Sequence, residues 1–204
     1  MIKYEDKLIG QLFTKLQSAG IANNTIIIWA GDNGTDADIR SIWRGQVVTG
    51  NKSTSNEGGT HVPMLAYCPG KVLPGFVDTS LISFVDWLPT VADLTNTNVP
   101  ASYGIIDGLN FAPQFSGDVT NVRPWIFCSF IGAKTNETNP MFKRRWMQGD
   151  TYKQYDVLPN AAFSKKFYNI RKDPKEKSPI LPVKMTAKEK AISQQYLNNM
   201  KTLN

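Results

Sequence analysis

Histidine and cysteine are scarce in this chain, and long apolar runs are missing. Its 204 residues include one histidine, His61, and two cysteines, Cys68 and Cys128. A single histidine with no Cys-x-x-Cys pair excludes a Cys/His zinc cluster. Both cysteines lie in apolar, strand-like runs and are read as buried free thiols, with one disulfide as the alternative. No apolar run approaches the roughly 20 residues of a membrane-spanning helix, so no membrane partner is expected. The segment Met1 to Lys7 has neither the apolar core nor the small-residue cleavage site of a secretory signal. Nucleic-acid signatures are lacking too. There is no zinc-finger spacing, no RNP-like aromatic motif and no Gly-x-x-Gly clamp loop, so the net charge of +6 is read as a solvated basic surface.

What is present is ordinary globular material, 41% hydrophobic and 20% charged. Tyr4, Leu8, Ile9, Leu12, Phe13 and Leu16 recur on one side of a helix, and Gly20 follows at the position where a left-handed backbone ends it. The stretch Thr25-Ile26-Ile27-Ile28-Trp29-Ala30 is a short apolar run, expected as a buried strand of a parallel sheet. Helix, loop and strand form half of a β-α-β unit, whose preceding strand this chain does not contain. Residues 31 to 60 are expected to hold little regular structure. Val62 to Tyr67 read as a second buried strand stopped by Pro69-Gly70. Pro89 implies either a helix that starts near Asp86, with Asp86 as its cap, or a kink, and residues 95 to 124 read as an irregular surface segment.

Beyond residue 120 the pattern changes. Trp125 to Phe130 is a strand. Phe142 to Gln148 and Thr151 to Val157 are a hairpin joined by Gly149-Asp150, and Lys165 to Ile170 is a further strand. Thr186 and Glu189 form a capping box at the start of a last helix, with Ile192, Tyr196 and Met200 on its buried face. The expected division is therefore an α/β core over 1–120 and a small antiparallel α+β subdomain over 121–204.

The chemistry gathers after the first strand, where polarity switches abruptly to Gly31-Asp32-Asn33-Gly34. Ligands in open α/β sheets bind beyond the carboxyl ends of strands. Asp32 and Asn33 offer the oxygen donors that Ca²⁺ or Mg²⁺ prefers, but Asp, Asn and Gly are also the commonest turn residues. The long loop that follows carries Lys52 at its centre, and a loop of that length is either functional or a plain linker.

Several elements in order resemble the sulfatase family of the alkaline-phosphatase-like superfamily. These are a strand ending in Asp-Asn-Gly, a loop Lys52-x-x-x-x-Glu57-Gly58-Gly59-x-x-Val62-Pro63, and a strand ending in Pro69-Gly70. A helix with Asp86-x-x-Pro89-Thr90 follows, then Asp107-Gly108. Near the end come Tyr152-Lys153 and a segment from Phe167 to Glu176. The resemblance covers nearly the whole chain. It implies the C-terminal part of a mixed or parallel alkaline-phosphatase-like sheet with flanking helices, in an enzyme that hydrolyses aryl or sugar sulfate esters.

By position, the resemblance makes Asp32 and Asn33 ligands of a divalent cation, usually Ca²⁺. It makes Lys52 the lysine that contacts the sulfate group, where a fixed ammonium would stabilise charge on a sulfuryl oxygen. Glu57 and the glycines are expected to shape the loop. Arg40 and Arg44 are candidates for meeting an anionic sugar. Two positions depart from the pattern: His61 stands where the family typically has Arg, and Ser53 where it often has Gly. The larger departure is the nucleophile. The family's formylglycine arises from a Cys/Ser-x-Pro/Ala-x-Arg motif, which neither cysteine nor any serine here satisfies. The expectation is a sulfatase lacking its N-terminal half, inactive alone and, like its family, periplasmic or secreted. A non-catalytic module that binds sulfated sugars and a phosphoester-cleaving relative are the alternatives.

Overall fold

The computed structural model describes residues 2–131, 143–158 and 163–203. In chain order the elements are α1 (Ile2–Ser18), β1 (Ile27–Ala30), β2 (Arg40–Trp43), β3 (Gln46–Thr49), α2 (Glu57–Thr60), β4 (Met64–Tyr67), α3 (Trp87–Leu94), β5 (Ile126–Ile131), β6 (Lys143–Gln148), β7 (Tyr152–Tyr155), β8 (Phe167–Asn169) and α4 (Ala187–Thr202). No described helix is long and apolar enough to cross a membrane. The contacts divide the chain into two compact units. One holds residues 1–31, 63–79 and 83–122; the other holds 32–62, 80–82 and 123–204. The loop after β1 thus groups with the C-terminal segment.

In the first unit, α1 ends as its sequence dictates. Gly20 takes φ +70°, and the Ile21 and Gly20 amides donate to the Leu16 and Gln17 carbonyls, which closes a Schellman motif. The apolar stripe is only partly covered. Phe13 meets Tyr67 edge-on at 4.5 Å and the Trp29 indole donates to Glu5 at 2.8 Å, but no residue of α1 is fully buried. β1 pairs with β4 in antiparallel register, Ile27 opposite Tyr67 and Ala30 opposite Met64. The expected parallel neighbour is not among the described residues, and every described strand pair is antiparallel. Both strands were expected buried. β1 is half-buried, and β4 alternates with Leu65 and Tyr67 outward, because a two-stranded ladder has one covered face.

Asp86 sits before α3 as expected, but its carboxylate does not cap that helix. It accepts instead from the amides of Ser83 (2.8 Å) and Leu109 (2.7 Å). The Thr90 hydroxyl donates to the Asp86 carbonyl at 2.6 Å and accepts from the Phe111 amide at 3.0 Å. The Asp86-x-x-Pro89-Thr90 pattern therefore fastens α3 to the segment around 109–111. That segment is not purely superficial, as its composition suggested: Phe111 and Phe115 are buried and pack edge-to-face at 5.6 Å.

The second unit is built on a four-stranded antiparallel sheet in the order β5-β6-β7-β8. The β6–β7 hairpin forms as its sequence predicts, displaced by one residue. The Gly149 amide donates to the Tyr152 carbonyl, so Asp150-Thr151 is the turn; the predicted start at Phe142 lies outside the described residues. Lys165 has φ +58°, which an extended strand does not accept, so β8 begins only at Phe167. One face of the sheet packs Met147 against Tyr196 and Met200 of α4; the other gathers Trp146, Tyr155, Tyr168 and Ile170. The Thr186–Glu189 capping box forms. At the far end of α4 the Arg145 guanidinium donates to the Met200 and Leu203 carbonyls, satisfying acceptors that the helix leaves open. Cys68 and Cys128 are free thiols, the first buried and the second half-buried. Burial pushes the Cys128 thiol above its ordinary pKa.

Candidate functional site

The stretch from Asp32 to Val62, expected to hold little regular structure, is ordered by two devices. The first is a hairpin. β2 and β3 pair with Trp43 opposite Gln46, and Arg44 (φ +49°) and Gly45 (φ +75°) form its two-residue turn. Two successive left-handed residues are what a tight hairpin needs to match strand twist. Composition hid this, because Arg is not a usual residue for the first of those positions. The second device is a backbone clasp. The Lys52 amide donates to the Thr35 carbonyl at 2.9 Å, and the Gly34 amide donates to the Gly59 carbonyl at 3.0 Å. A Cβ on Gly34 would lie 2.1 Å from the Gly58 oxygen, so only glycine allows the strands of the loop to approach this closely.

Through this clasp the turn Asp32-Asn33-Gly34 and the Lys52 segment share one backbone frame. The Asp32, Asn33 and Lys52 side chains are exposed. Among the described residues, none hydrogen-bonds or ion-pairs with these three side chains. No group of three or more His, Cys, Asp or Glu that could hold a metal occurs among the described residues. Asp32 and Asn33 provide a carboxylate and an amide oxygen, the hard donors Ca²⁺ and Mg²⁺ take, whereas Ca²⁺ fills its shell with about six to eight oxygens. The donor chemistry fits a hard cation, and two donors are too few to hold one by themselves. Ser53 adopts φ +67°, a backbone region that favours glycine.

The loop is tied down by residues to which the sequence assigned no role at the site. Ser55 is buried; its hydroxyl lies 2.8 Å from the Tyr155 hydroxyl and accepts from Arg144 at 3.1 Å. Its carbonyl accepts from the Lys153 ammonium. Lys153 is fully buried, 2.7 Å from Glu176, whose other oxygen accepts from Tyr155 at 2.5 Å. Burial pushes the Lys153 pKa down against the opposing pull of Glu176, and it pushes the Tyr155 hydroxyl well up. In sequence, Tyr152-Lys153-Gln154-Tyr155 looks like a half-exposed strand. The signal for a buried cation lay only in its distant partner, Glu176.

Glu57, at the start of α2, accepts from Gln148 at 2.6 Å and lies 3.2 Å from His61 Nδ1. Burial tends to raise its carboxyl, but the bonds from His61 and Gln148 outweigh that and hold it below its usual range. The same contact raises the His61 pKa against partial burial. Glu57 thus shapes the loop, as expected.

Comparisons with known proteins identify the family. The family model "Sulfatase" matches residues 1–97. The chain belongs to the sulfatase family. It is 28% identical over 190 residues to arylsulfatase A of Homo sapiens, covering 84% of this chain and 36% of that protein. It is 31% identical over 142 residues to arylsulfatase A of Bos taurus, covering 69% of this chain and 27% of that protein. It therefore spans little more than a third, or less, of these sulfatases, and it matches the family's C-terminal portion. A solved structure of a protein in complex with its substrate, D-glucosamine-2-N,6-O-disulfate, overlays 97% of this chain and 38% of that chain, with TM-score 0.75 at 20% identity. That likeness shows the alkaline-phosphatase-like fold class.

Proposed function

We propose that this sulfatase-family chain supplies the Asp32-, Asn33- and Lys52-bearing part of an enzyme that hydrolyses aryl or sugar sulfate esters with a divalent cation. The supporting observation is the clasp Lys52–Thr35 and Gly34–Gly59, which gives two oxygen donors and one ammonium a common frame. Asp32 and Asn33 lend their oxygens to the cation. When bound there, a hard cation polarises the sulfate oxygens. Lys52 sets its ammonium against the sulfate group and stabilises the charge that develops as the ester bond breaks, without proton transfer. The sulfated-sugar complex among the structural neighbours favours a sugar sulfate within this class.

The nucleophile and the remaining ligands belong to an N-terminal portion, with which this chain would work as a partner. The segments 1–120 and 121–204 are proposed as core and appended subdomain. Alone, the chain is expected to show no aryl-sulfate hydrolysis; measurable turnover by the isolated 204 residues would sink this reading. Supplied with an N-terminal sulfatase portion it is expected to turn over. Lys52→Ala should then lower kcat about 10²–10³-fold, and an undiminished kcat would remove Lys52 from the site.

A further inference from the structure

We propose that Lys153 is a positioning residue for the Lys52 loop, its buried ammonium pinning the Ser55 carbonyl to the β6–β7 hairpin. The proposal rests on the reading of Lys52 as a site residue, but its geometry does not. Lys153 donates to two acceptors, the Glu176 carboxylate at 2.7 Å and the Ser55 carbonyl, and its ammonium lies over the rings of Trp146 (4.6 Å) and Tyr155 (5.0 Å). A hydrophobic residue would fill such a place at less desolvation cost. What the ammonium adds is a directed bond to a backbone atom three residues from Lys52.

The rest of the network points the same way. Glu176 holds both Lys153 and Tyr155, and each reaches Ser55 from its own side, one at the carbonyl and one at the hydroxyl. Two residues on, Glu57 is held by Gln148 of β6. Between Lys52 and Ser55 the chain is stiff: the Thr54 amide and hydroxyl both bond to the Asn51 carbonyl, at 3.1 and 2.7 Å. A displacement of Ser55 therefore carries Lys52 with it.

The test is amide hydrogen exchange on the full chain, a readout blind to catalysis. In Lys153→Met/Glu176→Gln, which removes both charges and leaves no orphaned ion, the Lys52, Thr54 and Gly59 amides should exchange about tenfold faster or more while α4 amides keep their protection. Unchanged loop protection overturns the proposal, and so does uniform loss of protection across the unit, which would make Lys153 a core residue only. If the double variant does not fold, the wild-type chain decides. Loop amides should be protected to within about tenfold of those of β7, and a deficit beyond about a hundredfold overturns the anchor. Loss of the anchor leaves Lys52 as a sulfate contact untouched. Conversely, an active Lys52→Ala enzyme leaves the anchor standing.

Discussion

Two of the three sheets among the described residues, β1-β4 and β5-β6-β7-β8, differ in composition and are buried very differently. β1 and β4 are apolar along most of their length yet only half-buried, as a two-stranded ladder with α1 beside it. β6, β7 and β8 carry Lys, Gln and Tyr yet are largely buried. In the second unit α4 lies on one face of the sheet, and the clasped loop is bonded to Gln148, Lys153 and Tyr155 of its strands. Apolar content says which face can be buried, whereas the number of layers decides which face is. In the second unit polar residues go inside because each finds a partner there, as Lys153 does in Glu176 and Gln154 in Ser193.

Substitutions can break this comparison, and the largest effect is expected in the core of the second unit. Trp146→Ala should cost about 3–5 kcal/mol in chemical denaturation, since it empties a buried site that also supports the Lys153 ammonium. Leu8→Ala on the open stripe of α1 should stay within about 0.5 kcal/mol; a comparable loss there would mean that the stripe is covered in solution.

Next is Gly34→Ala, expected to cost about 1–3 kcal/mol, because the added methyl meets backbone on the opposite strand of the clasp. It should also weaken any Ca²⁺ binding seen by calorimetry, sharpening the claim that the clasp frames Asp32 and Asn33. Thr186→Ala removes the oxygen that accepts from the Glu189 amide and should cost about 1 kcal/mol, read as fraying of α4 by exchange.

The smallest effect is the pH response of Glu57 and His61. Glu57 is held below its ordinary 4.5, so its contribution is present above that value and is lost as pH falls through the lowered pKa. His61 is raised above 6.5, so its contribution is full below 6.5 and is lost as pH rises through the raised pKa. The turn is firmest between the two. The stability change should be slight, because the His61 side chain is 77% exposed. An NMR titration should place the His61 pKa above 6.5, and Glu57→Gln should return it toward that value.

Asp32, Asn33 and Lys52 were proposed from the family resemblance; by local chemistry alone Asp32-Asn33-Gly34 reads as readily as a turn, and Lys52 as a solvated loop residue. The β2–β3 hairpin was not legible, since its turn begins with Arg44 at positive φ. β8 was drawn too long because nothing local marks Lys165 as left-handed.

By itself the sequence determined the elements that short-range chemistry controls: the Schellman end of α1, the Thr186–Glu189 box and the β6–β7 hairpin. Tertiary structure alone decided that β1 meets β4 antiparallel and that Asp86 ties to Leu109 rather than capping α3. It also decided that Lys153 is buried against Glu176 beneath the Lys52 loop. Those outcomes depend on partners about 20 to 100 residues away, whose approach is set by loop closure and layer packing rather than by any local propensity.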